Sequence, residues 1–197
     1  MAVASAAQLR WLKIGVFVLA CYPLLRLIFL GVTDGLGTNP IEFITRSTGT
    51  WTLVGLMLTL TVTPLRQLSG WNSLLRVRRM LGLFSFFYAC LHFITYIWLD
   101  QFFDFAAIIK DVYKRPFITV GFSAFVLLIP LALTSSNNMI RRLGARRWQL
   151  LHRLVYVIAI LGVLHYAWLV KKDLTQPLIY AAVLTVLLGW RVLHRRR

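Results

Sequence analysis

The side chains of this sequence that are most able to do chemistry are four histidines. His92, His152 and His165 lie within long apolar stretches, whereas His194 precedes the basic C-terminal run. Ionisable or ligand-type side chains are costly inside a membrane and usually mark function there. We therefore interpret His194 as a residue at headgroup level and the other three histidines as candidates for a functional site.

His92 and His165 are predicted to lie at similar depth on two different helices. At a helical rise of about 1.5 Å per residue, His92 lies roughly 20 Å from Arg79 and His165 roughly 25 Å from Trp148, so both lie in the outer half of the membrane. His152 lies near the cytoplasmic face. Two imidazoles at matched depth on neighbouring helices suit bis-histidine ligation of b-type heme. Hydrogen bonding between helices is the alternative role. Zinc usually takes three or four protein ligands and is disfavoured.

The apolar stretches that carry these histidines are long enough to cross a membrane. Of the 197 residues, 59% are hydrophobic and only 14% are charged, against about a quarter charged in a soluble domain. A spanning helix needs roughly 20 apolar residues. We therefore predict an all-α membrane protein, a six-helix bundle forming one domain over residues 1–197. The predicted spans are residues 11–32, 50–64, 80–99, 117–133, 150–170 and 177–193.

The distribution of charge predicts the orientation of the bundle. Fifteen of the 22 Lys and Arg residues lie at the N-terminus, in the second and fourth loops, and at the C-terminus, whereas all six acidic residues lie on the opposite side. Basic loops stay in the cytoplasm, so both termini are predicted to be cytoplasmic. The net charge of the chain is +16, and the basic residues lie at the ends of the spans. This distribution argues for membrane lipid and against nucleic acid as the partner.

The remaining reactive side chains indicate no further chemistry. Cys21 and Cys90 lie within apolar stretches, and the Cys-x-x-Cys-His motif of covalent heme attachment does not occur. The sequence also has no nucleophile–base pair, phosphate-binding glycine loop or paired catalytic carboxylates.

Short motifs along almost the whole chain carry a family resemblance. They are Thr48-Gly49, residues 61–66 and 76–83, Leu91-His92, residues 114–116, Thr134-Ser135, and residues 148–152 and 165–168. Together they resemble the heme-binding membrane subunit of the bacterial periplasmic protein-methionine-sulfoxide reductase system (MsrQ type), within the ferric-reductase-like transmembrane group. The resemblance implies a single ferric-reductase-like heme-binding domain in the bacterial inner membrane.

The resemblance also implies a direction of electron flow. The donor would be a cytoplasmic flavin reductase, reduced flavin or quinol, and the acceptor a periplasmic molybdopterin subunit that reduces methionine sulfoxide in proteins. The chain would then be the electron-transfer subunit of an oxidoreductase complex, with the substrate reduced on the partner. One or two b-type hemes are expected, and FMN is a further candidate cofactor at the basic cytoplasmic face.

Arg78 marks a departure from the wider group. Larger members carry a histidine pair on each of two helices, and here Arg78 stands 14 residues before His92, where the second histidine would be. Three arrangements remain open on the cytoplasmic side. An inner heme is bound by His152 and a weaker or non-histidine ligand, an inner heme is bound by His152 alone, or no inner heme is present. We favour an inner heme on His152 with Arg78 at its propionates or open face, because arginine binds carboxylates through two hydrogen bonds. Anchoring at the cytoplasmic surface is the other interpretation of Arg78.

Two other classes of function compete with a cytochrome. A small transporter would use the intramembrane histidines as proton relays, and it predicts acidic residues within the spans. All six Asp and Glu residues are expected in the loops instead. A purely structural subunit would give the histidines no reason to lie at matched depth.

Overall fold

The computed structural model describes residues 5–170 and 172–194 as a set of helices. Six of these helices are long and apolar enough to cross a membrane, which confirms the predicted all-α, six-span fold. The chain is a multi-pass membrane protein. Its candidate spans are Ala6–Val32, Pro40–Ser69, Asn72–Asp100, Pro116–Leu133, Ala145–Leu169 and Thr175–Leu193.

The helices group into two compact units, the first ending at Asp104 and the second beginning at Phe105. The α-helices of the described residues are α1 (Ala6–Val32), α2 (Pro40–Ser69), α3 (Leu75–Thr95), α4 (Phe105–Lys114), α5 (Pro116–Leu133), α6 (Asn137–Leu143), α7 (Ala145–His152), α8 (Leu154–Leu169) and α9 (Thr175–Leu193). In the first unit, helices α2 and α3 pack along each other and α1 packs against α3. In the second unit, α5 packs along α8, with α9 against α8 and α4 against α5. The assignment of residues 1–197 to one domain stays a prediction.

Helix α2 is much longer than the stretch predicted at residues 50–64. It begins at Pro40, after an Asn39 side chain that accepts a hydrogen bond from the Glu42 N–H, and Glu42 pairs with Arg46 at 2.6 Å. Hydropathy misses this polar first third because capping and ion pairing, rather than apolar content, stabilise it. Glu42 was expected in a loop and lies in the first helical turn instead. Asp100 was also expected in a loop and is the last residue of the third candidate span. Hydroxyl groups that bond back to carbonyls four residues earlier belong to Thr48, Thr52, Thr59, Thr61 and Ser69.

The fifth span is divided at Arg153 into α7 and α8. The Arg153 N–H is shared between the carbonyls of Gln149 and Leu150, and Arg153 keeps right-handed helical backbone angles, φ −68° and ψ −19°. Two short helices, α4 and α6, lie between the spans and escaped the sequence analysis because they are too short to cross a bilayer. In α4 the side chain of Ile108 is buried, whereas Ile109 and Tyr113 are exposed.

Helix α1 is tied to α3 at a proline. Pro23 lies inside α1 and removes the N–H that would bond the carbonyl of Leu19. One turn along, the Tyr88 hydroxyl of α3 donates to the Ala20 carbonyl at 2.6 Å and accepts the Leu24 N–H at 3.2 Å. In a regular helix these two backbone groups bond each other. The hydroxyl bridges them and fixes α3 against α1.

The cytoplasmic position of both termini stays a prediction that reporter fusions can test. A fusion after Asp104 should report a periplasmic position and a fusion after Asn138 a cytoplasmic one, because the basic loops are retained inside. The opposite activities would reverse the orientation. Four of the basic residues on which this prediction rests, Lys171, Arg195, Arg196 and Arg197, lie outside the described residues.

Candidate heme site

His92 lies near the C-terminal end of α3 and bonds to the backbone of α2. Its Nδ1 is 2.9 Å from the carbonyl oxygen of Thr45. The imidazole lies against Gly49, where an added Cβ would be only 3.0 Å from Cε1 and 3.1 Å from Nδ1. A turn of π-helix follows directly, from Tyr96 to Asp100, and such turns are frequent at functional sites. The ring of His92 is therefore held by the Thr45 carbonyl and packs against the backbone at Gly49, which has no side chain.

His165 has the same kind of partners in the second unit. It lies near the C-terminal end of α8, and its Nδ1 is 2.7 Å from the carbonyl oxygen of Phe117 on α5. Its ring lies against Gly121, where an added Cβ would be 2.6 Å from Nδ1 and 2.8 Å from Cε1. The Phe117 ring lies 6.3 Å away, centre to centre.

The two histidines share one construction, which we call the histidine seat. Each seat consists of a carbonyl and a glycine four residues further along the same helix, Thr45 with Gly49 and Phe117 with Gly121. A backbone carbonyl only accepts hydrogen bonds, so Nδ1 must carry the proton. In the neutral imidazole Nε2 then carries the lone pair, which is the arrangement of a metal-ligating histidine.

The histidine seats fit heme better than a bare metal ion. Heme iron needs one or two axial side chains, and metal-ligating histidines usually donate their other N–H to a carbonyl or carboxylate. In residues 5–170 and 172–194, no three His, Cys, Asp or Glu side chains cluster as ligands. Beside the first seat, the Thr45 hydroxyl oxygen is buried and makes no hydrogen bond within the described chain, so a polar group could bind there.

His152 has different surroundings from the other two histidines. It ends α7, its ring stacks on Trp148 at 3.9 Å, and its Nε2 is 3.0 Å from the Thr134 hydroxyl oxygen. That hydroxyl donates to the Pro130 carbonyl at 2.6 Å, so it accepts from His152 and Nε2 carries the proton. Trp148 also donates from Nε1 to the Thr134 carbonyl at 2.9 Å. The proton of His152 is thus on the opposite nitrogen from that of His92 and His165.

Arg78 lies near the N-terminal end of α3 and is half-buried. The first turn of α3 contains no acidic residue, although this end of a helix carries a partial positive charge that disfavours cations. An anion would be stabilised beside Arg78, which suits either a heme propionate or a lipid phosphate. His92 lies on the same helix, 14 residues further along.

The partners of the histidines were mostly missed by the sequence analysis. Gly49 entered it only within a motif of the family resemblance, Trp148 and Phe117 only within a motif or at the start of a predicted span, and Gly121 did not enter it at all. An isolated glycine in a spanning helix is a signal of close packing, and it could have pointed to Gly121. The carbonyl acceptors carry no such signal because every residue has one.

The chain has six candidate spans, and one histidine of α3 and one of α8 each lie in a histidine seat. These features define a membrane protein of the ferric-reductase-like class. Residues 48–163 match the family model described as "Ferric reductase like transmembrane component". The matched region contains His92 and His152 and ends two residues before His165.

Several curated proteins are similar to the chain over nearly all of its length. A protein of Herminiimonas arsenicoxydans is 62% identical over 95% of this chain and 87% of its own. One of Ralstonia nicotianae is 61% identical over 94% and 86%, and one of Rhodospirillum rubrum is 54% identical over 94% and 90%. All three are named "Protein-methionine-sulfoxide reductase heme-binding subunit MsrQ". The chain belongs to the ferric-reductase-like transmembrane family and, within it, to the MsrQ type.

Proposed function

We propose that the chain is the heme-binding, electron-conducting membrane subunit of a protein-methionine-sulfoxide reductase. The observation that carries this proposal is the pair of histidine seats, on His92 and His165, which leave the lone pair on Nε2 in both rings. The names of the relatives support heme as the cofactor. When bound, b-type heme supplies reversible one-electron transfer at its iron.

In this proposal b-type heme would be held by His92 and His165, each through its Nε2. Their carbonyl partners hold each ring in a fixed plane and keep the proton on Nδ1, so neither ring must rotate or change tautomer on binding. The apolar spans around the seats exclude water, which is the environment expected of a transmembrane cytochrome. Both helices present their histidine near the C-terminal end, and the predicted orientation places that end toward the periplasm.

The proposed donor and acceptor are those that the family resemblance implies, and the predicted orientation assigns each to its side of the membrane. Electrons would enter from a cytoplasmic flavin reductase, reduced flavin or quinol and would leave to a periplasmic molybdopterin subunit that reduces methionine sulfoxide. The basic residues at the N-terminal end of α3 and around α6 and α7 suit an anionic donor such as FMN. Methionine sulfoxide would be reduced on the partner.

A second heme on His152 is part of the proposal, with Arg78 near its propionates or open face. The contact between Nε2 and Thr134 must be given up for ligation through Nε2. That cost makes this heme the weaker of the two. Its position on the cytoplasmic side would place it where electrons enter.

The proposed function is tested by the reduced-minus-oxidised optical spectrum of the purified full chain after heme supplementation. We expect the bands of a low-spin b-type cytochrome, because two imidazoles give a strong ligand field. A proton-relay transporter or a structural subunit would give none. A spectrum without heme bands from folded, fully supplemented protein would overturn the proposal.

A further inference from the structure

We propose that Gly49 and Gly121 are positioning residues that set the electronic properties of the histidines beside them. Each glycine uncovers a backbone carbonyl, and that carbonyl holds the Nδ1 proton of the neighbouring imidazole. The proposal rests on the function proposed above and assigns to these two residues a role that acts through the histidines beside them.

Helix geometry explains why the residue must be glycine. In a helix the carbonyl of one residue points toward the N–H four residues later, and every Cα–Cβ bond tilts back toward the N-terminus. A side chain four residues after a carbonyl therefore covers it. Without a Cβ at Gly49 and Gly121, the imidazole can lie on the helix surface. It bonds to an oxygen that already accepts a helical N–H, and in the first unit the Thr48 hydroxyl also shares that oxygen at 3.0 Å.

The same construction occurs once in each unit, in unrelated sequence. The histidine follows its carbonyl partner by 47 residues in the first unit and by 48 in the second. The residues that supply the carbonyl are different, Thr45 and Phe117, whereas the glycine is common to both. Two occurrences with the same four-residue spacing from carbonyl to glycine and the same tautomer argue that the glycine is required by the histidine contact rather than by general helix packing.

The two histidine seats differ in how closely the imidazole approaches the glycine. An added Cβ at Gly121 would lie 2.6 Å from Nδ1 of His165, so the ring would have to move. At Gly49 the nearest ring atom is 3.0 Å away, which a small displacement can relieve. We therefore expect alanine at residue 121 to disturb its histidine more than alanine at residue 49.

Loss of the carbonyl contact has an electronic consequence. A hydrogen bond from Nδ1–H to a carbonyl makes the imidazole a stronger donor to iron. A stronger donor favours the ferric state and lowers the reduction potential. Displacing the ring from its carbonyl should therefore raise the midpoint potential of the bound heme, which a purely structural defect would not do in the folded fraction.

The test is to replace each glycine with alanine in the full chain and to measure heme affinity, midpoint potential and the low-spin electron paramagnetic resonance signal. Disturbing a partner of a metal ligand typically weakens metal affinity roughly 10- to 100-fold. We expect a loss of this size for heme in Gly121→Ala, a smaller loss in Gly49→Ala, and a midpoint potential above wild type in both. If the Gly121→Ala protein fails to fold or to bind heme, the heme affinity and midpoint potential of the milder Gly49→Ala variant still test the proposal.

Two alanine variants serve as matched controls. Gly55→Ala meets Ser85 closely within the same α2–α3 pair and touches no histidine, and Gly189→Ala adds its Cβ into open space. Both should keep the wild-type potential. Wild-type potential and resonance signal in the folded seat variants would overturn the proposal, as would an equal shift in Gly55→Ala. If His92→Ala and His165→Ala also keep the wild-type spectrum, the axial ligation proposed above fails instead.

Discussion

Replacing His92 or His165 with alanine is expected to abolish the low-spin heme spectrum and electron delivery to the reductase partner. Removing a direct ligand should lower heme affinity by more than the roughly 10- to 100-fold loss that follows from disturbing a ligand's partner. Either substitution leaves the iron with one imidazole at most, so any retained heme becomes high-spin. The measurement is the optical and resonance spectrum of each purified variant, with heme quantified per chain.

Two controls separate ligation from folding in this experiment. His194→Ala removes an imidazole that stacks on Trp190 at the end of α9, far along the chain from either seat, and should leave the spectrum unchanged. Added free imidazole should restore a low-spin signal to His92→Ala or His165→Ala by entering the vacated position. A complete wild-type spectrum in both variants would remove these histidines from the heme site.

Replacing His152 with alanine is expected to lower the heme content of gently prepared protein from two per chain to one. The seats of His92 and His165 involve neither α7 nor Thr134, so the spectrum of the first heme should stay intact. The second heme should be higher-spin and more easily lost on purification, because its second axial ligand is weak or missing. Heme per chain, measured before and after prolonged washing, is the readout.

Thr134→Val is the matched variant for this prediction. It removes the hydroxyl that accepts from Nε2 of His152 while keeping the size of the side chain. If His152 binds heme through Nε2, this variant should hold the second heme at least as firmly as wild type, because the competing contact is gone. One heme per chain in both wild type and His152→Ala would contradict the second site and leave His152 as a residue that fastens α7 to α5.

The spans were predictable from hydropathy, and α2 shows where that signal fails. Residues 50–64 are apolar and were recognised, but the ten residues before them contain Glu42, Arg46 and several hydroxyl groups. The Asn39 cap, the ion pair and the hydroxyls bonded back to the helix make this part helical. Mean hydropathy cannot register these contacts. The omission matters because Thr45 and Gly49, which hold His92, both lie in the missed part.

The candidate site was predictable as a set of histidines but not as a set of seats. Their intramembrane position was visible in the sequence, because polar side chains are rare there. The tautomer depends on which atom faces each ring, and carbonyls are invisible in a residue list. The sequence distinguished His152 from His165 only by depth, whereas their surroundings in the fold place the proton on opposite nitrogens. The contacts of α5 with these two histidines determine that difference in tautomer.

The Tyr88 bridge also sets an order for the assembly of this protein. The hydroxyl joins backbone groups of α1 that precede it by 64 and 68 residues. The first helix is synthesised and enters the bilayer before the third exists, and within hydrocarbon no water can stand in for a missing partner. The first span therefore reaches its final backbone geometry only when the third arrives. Membrane insertion of α1 and completion of its backbone geometry are therefore separate events in biogenesis. Tyr88 couples the completion of α1 to the arrival of α3, the helix that carries His92.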